Sequence, residues 1–182
     1  AEEQSQIPHH LLDVANPKEG FSAAIFKRLA TESIQDITAR GKLPILVGGT
    51  GLYVDSVLYD YEFLPAPPQD LRQELSALNW EELLRRAEGL GITTEGIDIR
   101  NKRRVIRLIE NNGLQPRKHD LRPNTLLLGV RIQPKDLHSK IELRVQGMIA
   151  VGLEAEVRKL ATANGWDTEP MKGVGYREWQ MY

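Results

Sequence analysis

Three stretches of this chain place chemistry-bearing residues at close spacing. The first is Leu43-Pro-Ile-Leu-Val-Gly-Gly-Thr-Gly-Leu-Tyr53, in which an apolar run ends in Gly48, Gly49, Thr50 and Gly51. Glycines remove the Cβ atoms that would hold a phosphate away from the backbone. A threonine hydroxyl beside them either caps the following helix or contacts a phosphate or a metal-bound water. A plain tight turn accounts for Gly48-Gly49 equally well. The second stretch is Arg100-Asn-Lys-Arg-Arg-Val-Ile-Arg107. At about 100° per residue, Arg100, Arg103, Arg104 and Arg107 share one helix face, with Val105, Leu108 and Ile109 on the other. Between Arg100 and Asn112, Glu110 is the one carboxylate, so the stripe calls for an anion or an acidic surface opposite it. Guanidinium forks suit phosphate. A solvated face paired with glutamates is the competing explanation. The third stretch, Gly173-Val-Gly-Tyr-Arg177, is a Gly-rich turn that offers Arg177 to a pyrophosphate.

Other groups argue against alternative chemistries. His9 and His10 are adjacent and point in different directions, and His119 and His138 stand alone, so no metal site is expected. No Ser/His/Asp pattern of known spacing is present, and no G-x-x-x-x-G-K-[ST] phosphate loop. Aromatic residues are 6% of the chain and do not interleave with the arginines, which argues against a stacking platform for single strands.

The elements that position these residues follow from pattern. Ser22 caps a helix in which Phe26, Leu29, Ser33 and Ile37 recur at helical spacing, with Gly41 past its end. Residues 43–47 and 125–131 are short apolar runs of the kind covered on both faces in a parallel sheet. Helix, buried strand, Gly-rich turn and helix in succession predict an α/β fold with ligands at the carboxyl ends of the strands. Leu64-Pro-Ala-Pro-Pro68 marks a boundary, after which residues 69–113 are helix-rich and charged. Pro134 and Asp136 open a helix lined by Leu137, Ile141, Val145 and Met148, and Leu153, Val157 and Leu160 mark another. Residues 1–20 read as a polar lead-in. The predicted domains are 1–65, part of an α/β core; 66–120, a helical insertion; and 121–182, a return to the core.

The 182 residues, 41% hydrophobic and 27% charged with a net charge of −1, fit one globular domain or one with a small appendage. The balanced charge means that binding to a polyanion must come from local clustering. The absence of cysteine excludes disulfides and thiolate metal sites and agrees with a cytoplasmic location. No apolar run reaches the roughly 18 residues that span a bilayer. The chain begins with Ala and ends abruptly at Trp179-Gln-Met-Tyr182, which reads as a piece of a longer protein.

In this order the pieces resemble the tRNA dimethylallyltransferases, also called tRNA isopentenyltransferases. The resemblance rests on Pro8-His-His-Leu-Leu-Asp13, Phe21-Ser-Ala-Ala24, Leu46-Val-Gly-Gly-Thr-Gly-Leu-Tyr53, and Asn101-Lys-Arg-Arg-Val-Ile-Arg107 with Glu110. It extends through Leu137-His138 with Ile141 and Arg144, Gly152-Leu153 with Glu156-Val157, and Gly175-Tyr-Arg177. It implies a P-loop-NTPase-like parallel sheet with helices, interrupted by a helical insertion that embraces a tRNA anticodon stem-loop. It implies transfer of a dimethylallyl group from dimethylallyl diphosphate to the exocyclic amine of the adenosine just 3′ of the anticodon, assisted by Mg2+. Thr50 then stands beside the diphosphate and target base as the catalytic candidate, and Gly48, Gly49, Thr50 and Arg177 face the diphosphate. Gly51, Arg72, Arg103, Arg104 and Arg107 face the tRNA. The protein is expected to act as a monomer.

The chain departs from the family pattern in three places: the family's opening phosphate loop, the aspartate after it that is taken as general base, and the basic helices beyond Gly-Tyr-Arg. The expectation is therefore a piece of the enzyme that is inactive by itself. The alternatives are a non-catalytic tRNA-binding remnant and an isopentenyltransferase acting on free adenine nucleotides; a small-molecule kinase shares the expected fold only.

Overall fold

The computed structural model describes residues 5–182; the first four residues of the predicted lead-in lie outside them. The described residues divide into two compact units. One is Val47–Pro123, and the other is the described part of Ala1–Leu46 together with Asn124–Tyr182.

In the Val47–Pro123 unit, α2 spans Gly51–Leu58, α3 Gln69–Ala77, α4 Trp80–Gly89 and α5 Lys102–Glu110; α1, Ala23–Ala39, belongs to the other unit. Local chemistry fixes these boundaries. Pro68 precedes α3 with φ −53°, preset for helix entry. Asn79 and Glu82 form a reciprocal capping box at α4: the Asn79 side chain accepts from the Glu82 N–H at 3.0 Å, and the Glu82 carboxylate accepts from the Asn79 N–H at 2.7 Å. The Asn101 side chain caps α5 by accepting from the Arg103 N–H. Asn112 and Gly113, at φ 51° and 81°, end it. The apolar faces of α3, α4 and α5 meet in a core of Leu75, Leu83, Ala87, Val105, Ile106 and Ile109, flanked by Leu71, Leu78, Trp80, Leu84 and Ile92. A short two-stranded contact closes the unit: the Glu62 N–H donates to the Arg117 carbonyl and the His119 N–H to the Tyr59 carbonyl, both at 2.9 Å. The Lys118 ammonium lies 3.7 Å from the centre of the Tyr59 ring.

In the other unit, Ser22 caps α1 through the Ile25 N–H at 3.3 Å, as its sequence predicts. Helices α6 (Pro134–Ala150) and α7 (Leu153–Asn164) follow, joined through Gly152 at φ 102°, a conformation that favours glycine. Short 3₁₀ helices cover Glu169–Lys172 and Arg177–Met181. Val157 and Met171 are fully buried, whereas the α6 face of Leu137, Ile141 and Val145 is exposed. No helix among the described residues is long and apolar enough to cross a membrane.

The expected P-loop-NTPase-like parallel sheet is not formed. Among the described residues the structure is helical, and the single β-bridge is Glu62 with Arg117. Residues 43–47 and 125–131 carry no strand, and their side chains stand open to solvent, to 87% at Val47 and 92% at Val130. A continuous apolar run records a need for cover on two faces, but a strand also requires a hydrogen-bonded neighbour. Neither run has a ladder among the described residues. Arg100 also departs from expectation. It precedes the cap of α5, so the helical stripe consists of Arg103, Arg104 and Arg107.

These burial differences predict opposite outcomes for two substitutions followed by urea denaturation. Leu75→Ala is expected to lower unfolding free energy by about 2–5 kcal/mol. Val130→Lys is expected to change it by no more than about 0.5 kcal/mol.

Candidate nucleic-acid interface and anion-binding residues

The arginine face of α5 is built by burial on its opposite side. Val105, Ile106, Leu108 and Ile109 are buried, which leaves Arg103 and Arg104 exposed. The cationic groups around α5 have different fates. Arg72 of α3 donates from Nε and Nη2 to the two oxygens of Glu110, each at 2.7 Å, a bidentate fork. Arg107 Nη1 donates to Glu110 Oε2 at 3.3 Å, and Arg107 Nη2 to the Leu64 carbonyl at 3.4 Å. Lys102 Nζ donates to the Ser76 carbonyl at 2.9 Å, and Arg100 pairs with Asp98 at 3.2 Å. The side chains of Arg103 and Arg104 make no hydrogen bond or ion pair among the described residues.

The Glu110 side chain has no solvent exposure, while its partner Arg72 is 54% exposed. Burial alone pushes the Glu110 pKa up. The hydrogen bonds from Arg72 and Arg107, with their charges, outweigh burial and hold the carboxyl below the ordinary glutamate value. The same contact raises Arg72. Sequence reasoning placed Glu110 beside the stripe but missed the clamp, because 38 positions separate it from Arg72.

Thr50 is the N-cap residue of α2, yet its hydroxyl makes no capping hydrogen bond. Its carbonyl accepts from the N–H groups of Tyr53 and Val54 at 3.0 and 3.2 Å. Gly48, Gly49, Thr50 and Gly51 are all exposed. A Cβ at Gly48 would stand 3.2 Å from the Val54 side chain, but at Gly49 and Gly51 it would meet nothing within 4 Å. None of these three glycines has positive φ. The fold therefore has no steric requirement for glycine at 49 or 51.

Arg177 lies in the other unit. Gly175 has φ 97°, which glycine alone tolerates readily. The Tyr176 hydroxyl donates to Glu156, and this hydrogen bond, ahead of partial burial, raises the Tyr176 pKa. Arg177 Nε donates to Glu178 at 2.8 Å. The sequence-predicted site residues thus fall into two groups. Gly48, Gly49, Thr50, Gly51, Arg72, Arg103, Arg104 and Arg107 belong to the Val47–Pro123 unit, and Arg177 to the other.

The IPP transferase family profile matches residues 1–182. A tRNA dimethylallyltransferase of Anoxybacillus flavithermus is 42% identical over 192 residues, covering 100% of this chain and 62% of the relative. One from Staphylococcus aureus is 38% identical, covering 97% and 63%. Two solved structures are also similar. The Staphylococcus epidermidis tRNA delta(2)-isopentenylpyrophosphate transferase has TM-score 0.63 and 31% identity, with 98% of this chain and 63% of that chain covered. The full-length tRNA isopentenylpyrophosphate transferase of Bacillus halodurans has TM-score 0.68 and 34% identity, with 100% and 61% covered. The chain belongs to the IPP transferase family, and it spans a little over three fifths of the length of these relatives. Transfer from a diphosphate implies a divalent cation. Among the described residues no group of three or more His, Asp or Glu side chains is arranged to hold one, so these residues do not form a cation cage.

A carboxylate with a lowered folded-state pKa contributes stability that is present above the unfolded glutamate pKa of about 4.3 and is lost as pH falls through the lower folded value. Acid titration followed by circular dichroism should therefore show a loss of stability in that window, and Glu110→Gln should diminish it.

Proposed function

We propose that this chain is part of a tRNA dimethylallyltransferase that prenylates the adenosine immediately 3′ of the anticodon. In that reaction the exocyclic N6 attacks the allylic carbon of dimethylallyl diphosphate. The C–O bond to the diphosphate breaks, an N–C bond forms, pyrophosphate leaves and the amine loses a proton. The observation that carries the reading is the pair Arg103 and Arg104, exposed and without a carboxylate partner on a helix whose other cations are engaged. Two unneutralised guanidinium groups one residue apart suit successive phosphates of an RNA backbone. Family membership supports the substrate class.

In this reading Arg72 and Arg107 shape the RNA-facing surface and offer RNA the donors that Glu110 leaves over, while Gly51 lines the approach of the base. Gly48, Gly49 and Thr50 face the diphosphate. A glycine without a steric cause at 49, and a Thr50 hydroxyl not used as a cap, favour that role. Arg177, the remaining diphosphate candidate, belongs to the other unit. Mg2+ belongs to the diphosphate that carries it. The enzyme acts as a monomer in the cytoplasm.

Fluorescence anisotropy with an anticodon stem-loop RNA tests the interface. Arg103→Ala with Arg104→Ala should weaken binding and reduce the slope of log K against log salt concentration by about 1.4–1.8, the contribution of two phosphate contacts. Unchanged affinity and slope would contradict the reading.

A further inference from the structure

The Gly-rich turn at 173–178 already holds an anion, and that anion is part of the chain. The Gly175 N–H donates to Glu178 Oε2 at 2.7 Å, and Arg177 Nε donates to Glu178 Oε1 at 2.8 Å. The two donors thus bridge the two oxygens of one carboxylate, the way a pair of donors engages two oxygens of one phosphate. Positive φ at Gly175 belongs to the turn that presents this N–H. The hydrogen bond from Arg177, followed by that from Gly175, lowers the Glu178 pKa. Neutral solution therefore leaves the carboxylate charged and in competition with any external anion.

We propose that Glu178 is an internal competitor at Arg177: its carboxylate occupies the Gly175 N–H and the Arg177 Nε–H, so an anion that takes these two donors must displace it. The proposal rests on the reading of Arg177 as a diphosphate ligand. A monoanion matches Glu178 in charge, and the tethered carboxylate has the advantage of effective concentration. A diphosphate brings more charge and more acceptor oxygens, and it wins the exchange. Displacement is feasible because both side chains are largely solvated, 61% exposed for Arg177 and 51% for Glu178.

Isothermal titration calorimetry on the full 182-residue chain tests this, with inorganic pyrophosphate and inorganic phosphate as separate ligands. Glu178→Gln should bind pyrophosphate up to about fivefold tighter than wild type, the effect of removing one solvent-exposed charged competitor. Its gain for phosphate should be of similar size, because a tethered competitor lowers the affinity of every anion that must displace it by the same factor. Equal or weaker pyrophosphate binding by Glu178→Gln, while Arg177→Ala still abolishes it, overturns the role of Glu178 alone. Pyrophosphate binding that survives Arg177→Ala overturns the underlying reading of Arg177. No detectable binding by wild type or either variant overturns both.

Discussion

One buried carboxylate organises the arginine-bearing surface of the Val47–Pro123 unit. Glu110 stands at the end of α5 with no exposed side-chain area, and three hydrogen bonds from two guanidinium groups satisfy it. An ionised carboxylate without partners at such a position would cost several kcal/mol. Arg72 must therefore reach from α3, and Arg107 must turn back along its own helix. Arg107 also reaches the Leu64 carbonyl in the proline-rich segment before α3. The clamp thus ties α3, α5 and the entry to α3 to one point. The Leu75, Val105 and Ile109 core supplies cohesion between the same helices. Apolar packing gives the contact its area, and the bidentate fork gives it direction.

The functional consequence is a sorting of cations. A stripe that looks uniform in sequence becomes two kinds of residue once Glu110 is in place. Arg72 and Arg107 serve the carboxylate first, and their remaining donors point from a fixed frame. Arg103 and Arg104, one turn earlier on the same helix, have no side-chain hydrogen bond or ion pair among the described residues. A helix that neutralised all its arginines would have little attraction for RNA, and one that neutralised none would repel itself. The arrangement divides paired from unpaired arginines along a helix of nine residues. A similar pairing occurs at Arg177, whose Nε donates to the neighbouring Glu178.

Local features of the chain were legible in its sequence. Ser22 and the spacing of Phe26, Leu29 and Ile37 gave α1, and Pro134 gave the start of α6. Capping and periodicity depend on residues within a few positions of one another, so sequence carries them directly. The parallel sheet failed for the converse reason. The runs at 43–47 and 125–131 have strand composition, but composition does not supply a hydrogen-bonding neighbour, and both runs stand solvated here. The Arg72–Glu110 fork and the Lys118–Tyr59 contact were equally invisible, since each joins residues remote in sequence. The displaced position of Arg100 was a boundary error, because Asn101 and not Arg100 opens the helix. Among the candidate site residues, sequence gave their identities, while the divisions between engaged and available arginines came only with the packing.

The most direct measurement is a double-mutant cycle on the clamp. Unfolding free energies of wild type, Arg72→Ala, Glu110→Gln and the double variant, taken from urea denaturation at neutral pH, isolate the coupling between the two side chains. A coupling of about 1–3 kcal/mol is predicted, the range for directly contacting charged residues in one network. Additivity within about 0.5 kcal/mol would mean that α3 and α5 are held by apolar packing alone. The sorting of arginines by Glu110 would then be contradicted.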